Sequence, residues 1–218
     1  MQIKICGVCR PEDVATVAAA GADAIGLNFY AKSPRYLLPS RAAEVIAEIP
    51  PEMVKVGVFV NATADEVIET FTNYELDAVQ LHGDETPRLI AKLGVIPVVR
   101  ALRLGPGGLA AIEKYIDECR QLDVELAGLL IDSFEAGQFG GTGRVANWDL
   151  LKQWEVADDV PLILAGGLTA ENVAEAIATV QPVAVDTASG VEISPGIKDP
   201  ARVKAFIDAA RRAFEELE

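Results

Sequence analysis

The chain has 218 residues, half of them apolar and only 6% aromatic, with a formal net charge of −14. That length suits one α/β domain with a large aliphatic core. The acidic balance argues against nucleic acid as a partner, while local backbone dipoles still allow a small phosphorylated ligand.

The first strand runs from Ile3 into Cys6. Pro11 opens the first helix, with Glu12 and Asp13 in its positive first turn and Gly21 at its end. A second strand begins near Ala24 and leads into the loop Ser33-Pro34-Arg35. A third begins near Val54, and the capping box Thr63-Ala-Asp-Glu66 starts the helix after it. The fourth begins near Asp77 and delivers Gln80 and His82; Thr86-Pro87 then opens a helix that Gly94 stops. The fifth begins near Ile96 and delivers Arg100. The sixth begins near Leu126 and ends in Gly128-Leu129-Leu130-Ile131-Asp132. The seventh, from about Val160, leads to Gly166-Gly167 and a helix expected to be capped near Thr169. The eighth, from about Pro182, delivers Asp186 and then Ser189-Gly190, and Asp199-Pro200 opens the last helix.

Eight strand segments separated by single crossover helices predict a right-handed parallel arrangement closed on itself. The expected fold is α/β: one (βα)8 TIM barrel of eight parallel strands spanning residues 1–218 as a single domain. An open doubly wound sheet is the competing architecture, but Cys6-Gly7-Val8-Cys9-Arg10 lacks its glycine fingerprint.

Three cysteines do not make a disulfide framework. Cys6-x-x-Cys9 has no second pair beside it and His82 is the only histidine, so neither a metal nor another cofactor is expected. The N-terminal residues contain no apolar signal core, and no apolar run approaches the ~18 residues of a membrane span. The sequence reads as soluble and cytoplasmic, with no membrane partner, and as a monomer or a homodimer.

In a barrel the reactive groups lie where strands end and the following loops begin. Gly166-Gly167 and Ser189-Gly190 follow adjacent strands and offer unhindered backbone N–H groups to a phosphate; the alternative is two tight turns. The glycine-rich loop with Gly140, Gly141 and Thr142 reads as a lid or as a plain connector. Cys6 at the mouth reads as a base or nucleophile, provided its pKa is lowered, against the alternative of a small buried hydrophobe. Cys9 and Cys119 read as structural. Asp132, after four apolar residues, is expected to be partly desolvated and suited to give a proton; a structural salt bridge is the alternative. Arg35 suits a ligand carboxylate or a plain surface position. His82 is a ligand contact or a brace for its loop, and Asp186 meets a sugar hydroxyl or braces the rim.

Taken together and in order, Lys4-Ile5-Cys6-Gly7, Ser33-Pro34-Arg35, Val56-Gly57-Val58-Phe59-Val60-Asn61, Gln80-Leu81-His82-Gly83, Leu130-Ile131-Asp132, Gly140-Gly141-Thr142-Gly143, Ala165-Gly166-Gly167-Leu168 and Ser189-Gly190-Val191-Glu192 resemble the phosphoribosylanthranilate isomerase family. Two positions depart from its pattern: Cys9 stands where Thr or Ser is usual, and Thr187-Ala188 where Val-Ser is usual. The resemblance implies an Amadori rearrangement of N-(5-phosphoribosyl)anthranilate in tryptophan biosynthesis. In that reading Asp132 is the acid at the ring oxygen and Cys6 the base at C2′. Arg35 holds the anthranilate carboxylate, the glycine turns hold the phosphate, and Asp186 meets a ribose hydroxyl. Rival readings are another phosphosugar aldose–ketose isomerase, an indole-glycerol-phosphate synthase and a non-catalytic phosphosugar-binding barrel. The synthase needs a lysine acid at the rim, whereas Lys4 lies one layer below Cys6.

Overall fold

The computed structural model describes residues 2–103, 108–132, 148–152 and 159–217. Its strands are β1 (Ile3–Cys6), β2 (Ala24–Asn28), β3 (Val54–Phe59), β4 (Ala78–Leu81), β5 (Val98–Arg103), β6 (Gly128–Asp132), β7 (Leu162–Ala165) and β8 (Ala184–Thr187). Each pairs in parallel with the next, and β8 returns to β1 through Ile3↔Val185, Lys4↔Asp186 and Ile5↔Thr187, closing the barrel. Between and after them lie α1 (Pro11–Ala20), α2 (Pro39–Ala47), α3 (Ala64–Asn73), α4 (Pro87–Ala91), α5 (Gly108–Gln121), α6 (Trp148–Leu151), α7 (Val173–Val180) and α8 (Pro200–Glu215). The (βα)8 architecture expected from the sequence is the one observed, and each strand starts within two residues of its expected position.

Helix starts follow local chemistry. Thr63 and Glu66 form the reciprocal capping box at α3. Asp199 accepts from the N–H groups of Ala201 and Arg202 ahead of α8. Gly21 ends α1 in the left-handed conformation, with φ 86°. One start differs from expectation. The chain turns at Thr169, but α7 begins only at Val173. The Asn172 side chain folds back to accept from Thr169 N at 2.8 Å and donates to Gly167 O at 3.0 Å, which holds these residues in a turn first.

Strand residues alternate between two environments. Ile3, Ile5, Leu27, Val79, Leu81, Leu129, Ile131, Leu164 and Val185 face outward and pack with helix residues such as Val14, Val17, Val203 and Phe206. The inward set is smaller: Val99, Ala101, Leu130, Ile163, Ala165 and Ala184 on one side, and Ala24, Val56 and Ala78 on the other. Lys4, between Ile3 and Ile5, therefore points into the barrel and is 2% exposed.

After β8 comes an element that the sequence reading missed. A 3₁₀ turn (Ser189–Val191) leads into a short antiparallel hairpin of β9 (Glu192–Ser194) and β10 (Ile197–Lys198). Pro195-Gly196 makes its turn, with Gly196 at φ 82°.

Candidate active site

Cys6 is the last residue of β1. Its sulfur lies over Gly26 of β2, where a Cβ would stand 2.7 Å from Sγ, so only glycine leaves room for it. Two buried lysines flank it. Lys4 Nζ donates to Asp186 Oδ1 at 2.7 Å, and its charge acts on the Cys6 side chain two residues further along the same face of β1. Lys198 Nζ donates to Cys6 O at 2.6 Å, Glu192 Oε1 at 2.9 Å and Ala188 O at 3.3 Å. The lowered thiol pKa on which the reading of Cys6 as a base is conditioned is not found in the resting site. Burial pushes the Cys6 thiol up; Lys4 and Lys198 oppose it, Asp186 adds to it, and the net direction is upward. Lys4 is affected in the opposite way: burial disfavours its charge, but Asp186 and Cys6 outweigh that and raise it above the ordinary lysine value.

The pairing with Lys4 revises the picture of Asp186. The residue is 6% exposed and one of its oxygens is taken by the Lys4 ammonium, so it ties β8 to β1 inside the barrel.

Arg35 is also engaged. Its Nε and Nη2 donate to the two oxygens of Glu192 at 2.8 and 2.6 Å, a bidentate fork that takes up much of the guanidinium expected to be open for a ligand carboxylate. A Cβ at Gly7, which has φ 72°, would run into Arg35 Cδ, so glycine lets the arginine lie against the end of β1. Burial would raise the Glu192 carboxyl, but hydrogen bonds from Arg35 and Lys198 outweigh it and leave the group below the usual carboxylate range. Glu192 and Lys198 were not among the expected site residues. The one sequence signal for them was the Pro195-Gly196 turn that folds them back toward β1.

Across the mouth, Asp132 ends β6 and His82 follows β4. His82 Nε2 and Asp132 Oδ2 are 3.8 Å apart, with side chains 27% and 24% exposed. The partial desolvation expected for Asp132 is present. His82 Nδ1 meets Gln80 Nε2 at 3.1 Å, and its backbone N–H donates to Phe59 O. Gln80 Oε1 is buried with no hydrogen-bond partner among the described residues.

Arg100, the third residue of β5, does not reach the mouth. Its guanidinium donates to Leu81 O, Gly83 O, Ala101 O and Glu85 Oε2, and to the Tyr115 hydroxyl, whose ring it also faces at 5.2 Å. It is a structural tie between the β4 and β5 ends.

The two glycine turns come together as expected. Gly166 and Gly167 have φ 91° and 66°. Thr187 Oγ1 donates to Leu168 O at 2.7 Å, and a Cβ on Gly190 would collide with that same carbonyl. Gly167 and Ser189 are exposed. The loop residues Gly140, Gly141 and Thr142 lie outside the described residues. Cys119 is buried in the core, and Cys9 is half-buried with its thiol 3.4 Å from Gly196 O. No cluster of metal-ligating side chains occurs among the described residues, and no helix among them is long and apolar enough to cross a membrane.

Reactive side chains gathered where parallel strands end define a (βα)8 barrel of the enzyme type. The model of the N-(5'-phosphoribosyl)anthranilate isomerase family matches residues 3–209. A relative from Pseudomonas paraeruginosa, an N-(5'-phosphoribosyl)anthranilate isomerase, is 47% identical over 213 residues, 97% of this chain and 95% of its own. The crystal structure of phosphoribosyl anthranilate isomerase from Thermotoga maritima superposes with a TM-score of 0.84 at 35% identity, covering 97% of this chain and 99% of that one. A second such structure, in complex with reduced 1-(o-carboxyphenylamino)-1-deoxyribulose 5-phosphate, gives 0.82 at 35% identity, with coverage of 97% and 99%. The chain belongs to the phosphoribosylanthranilate isomerase family.

Proposed function

We propose that the chain, acting as one barrel domain in the cytoplasm, converts N-(5-phosphoribosyl)anthranilate to 1-(2-carboxyphenylamino)-1-deoxyribulose 5-phosphate in tryptophan biosynthesis. The observation that carries this reading is the pair Cys6 and Asp132, each the last residue of its strand at the same end of the barrel.

Protonated Asp132 gives its proton to the furanose oxygen as the C1′–O bond breaks, and the anilino nitrogen supplies the electrons for a C1′=N iminium. Cys6 thiolate then takes the C2′ proton. The C2′–H electrons form C1′=C2′ and neutralise the nitrogen, leaving an enolamine that tautomerises to the ketone. Each proton is handled by a side chain, so the rearrangement requires neither a redox partner nor a metal.

The phosphate is read as sitting on Gly166, Gly167, Ser189 and Gly190, where two turns meet and backbone N–H groups converge. Glu192 occupies the Nε and Nη2 edge of Arg35, so the anthranilate carboxylate meets the edge that carries Nη1. His82 borders the substrate beside Asp132. A ribose hydroxyl reaches Asp186 through the oxygen that Lys4 does not hold.

Freshly prepared phosphoribosylanthranilate tests the function directly, because its fluorescence disappears on conversion. Enzyme-dependent loss is expected. No loss at micromolar protein would overturn this reading and leave the barrel as another phosphosugar enzyme or a non-catalytic phosphosugar binder.

A further inference from the structure

Beneath the proposed base lies a charge that the rearrangement does not consume. Lys4 is wholly enclosed by the barrel, two residues below Cys6 and on the same inward face of β1. A buried ammonium is costly unless paired. Asp186 pairs it at 2.7 Å from the neighbouring strand, at the register position directly opposite. Cys6 stands two residues above this pair on the same face of β1, so the Lys4 charge acts on its sulfur.

The rest of the surroundings make Lys4 the cation placed to meet a charge on the sulfur. From β2 the residue facing Sγ is Gly26, which brings no charge. Lys198 of β10 spends its hydrogen bonds on the Cys6 carbonyl, Ala188 O and Glu192. Arg35 is forked onto Glu192. Asp186 is the negative group that acts on Cys6, and it is itself paired to Lys4.

We propose that Lys4, held in place by Asp186, is a positioning residue that fixes the Cys6 sulfur and supplies the counter-charge when the thiol ionises. This rests on reading Cys6 as the base, but its effect on the sulfur can be measured without substrate.

The test is the pH dependence of Cys6 alkylation by iodoacetamide in a Cys9→Ser/Cys119→Ala background, so that one thiol reports. Lys4→Met is expected to raise the alkylation midpoint by about one pH unit or more, the scale of losing an opposite charge at contact distance. Asp186→Asn is expected to lower it, because the ammonium then faces the sulfur alone. Opposite signs from the two halves of one ion pair are not what a merely structural pair gives. Lys4→Met leaves Asp186 buried without a partner and is the variant at risk of misfolding. The neutral double variant Lys4→Met/Asp186→Asn, checked by circular dichroism, is expected to keep a midpoint above the parent. An unchanged midpoint in both Lys4 variants, or single variants shifting the same way, overturns the proposal. In turnover, Lys4→Met should lose about tenfold at pH 7 and recover as pH rises; an equal loss at every pH overturns it. An alkylation midpoint that moves as expected while the pH–rate profile stays fixed upholds Lys4 and sinks Cys6 as the base.

Discussion

His82 Nε2 stands 3.8 Å from Asp132 Oδ2, which brings the ends of β4 and β6 together across the mouth. At that distance the contact is electrostatic rather than a formed hydrogen bond, and it gives Asp132 a neighbour able to share a proton. Asp132→Asn is expected to lower kcat by about 10²–10⁴-fold, the usual contribution of a general acid, and Cys6→Ser by a similar factor. Circular dichroism melts should stay near the parent for both. Near-parental turnover in either variant removes that residue from its role. His82→Gln should cost less, about tenfold in kcat, or ~1.4 kcal/mol in barrier.

The clasp between Arg35 and Glu192 couples substrate binding to stability. Arg35→Ala should raise KM more than it lowers kcat, because it removes a binding contact rather than a reacting group. It also leaves a buried carboxylate with fewer donors, a loss of about 1–3 kcal/mol. Steady-state kinetics and urea unfolding on the same preparation check both halves. An unchanged KM counts against the carboxylate contact, and an unchanged unfolding midpoint against the clasp.

Acid should unfold the protein partly through two carboxylates. Burial would raise Asp23, but the N–H groups of Gln2 and Ile3 and the Arg211 guanidinium outweigh it, so its pKa, like that of Glu192, is lowered. A depressed folded-state pKa gives stability that is present above the unfolded value of roughly 4. That stability is lost as pH falls through the lower folded value. Unfolding free energy should therefore drop below about pH 4, and Asp23→Asn, by removing one titrating group, should flatten the drop. A parallel drop in the variant would show that Asp23 does not contribute.

Gly190 tests the rim. A Cβ at this position would collide with Leu168 O, so Gly190→Ala must separate the two turns. KM and the inhibition constant of inorganic phosphate should both rise, by about tenfold, ~1.4 kcal/mol, with kcat less affected. Ser189→Ala, on an exposed residue of the same turn, should change them less. Unaltered phosphate inhibition in Gly190→Ala would place the anion elsewhere.

The sequence made the eight strands legible because each is a short apolar run bounded by turn residues; two-residue offsets arose at β5, β6, β7 and β8, and at β5 and β7 a proline, Pro97 or Pro161, directly precedes the strand. Placement of Cys6 and Asp132 at strand ends followed from counting. What the sequence hid was partnership over long separations. Lys4 and Asp186 are 182 positions apart, and Arg35 and Glu192 157; no local period reports such pairs. The β9–β10 hairpin was missed because strands of three and two residues are too short to show alternation. Arg100 looked like a mouth residue by position, yet its five-way hydrogen bonding with the β4–α4 loop and Tyr115 takes it out of the mouth.

The hairpin gives the barrel's seam a consequence in time. Cys6 is made well before the Asp186 that holds Lys4 beneath it and the Lys198 that grips its carbonyl, 182 residues after Lys4 and 192 after Cys6 respectively. A growing or unfolded chain has the thiol without its setting. If Cys6 is the base, as proposed, it is assembled only when β8 docks beside β1, so turnover would report on completed closure of the barrel, and a circular permutant cut within the β9–β10 turn would separate the closing of the sheet from the arming of its first strand.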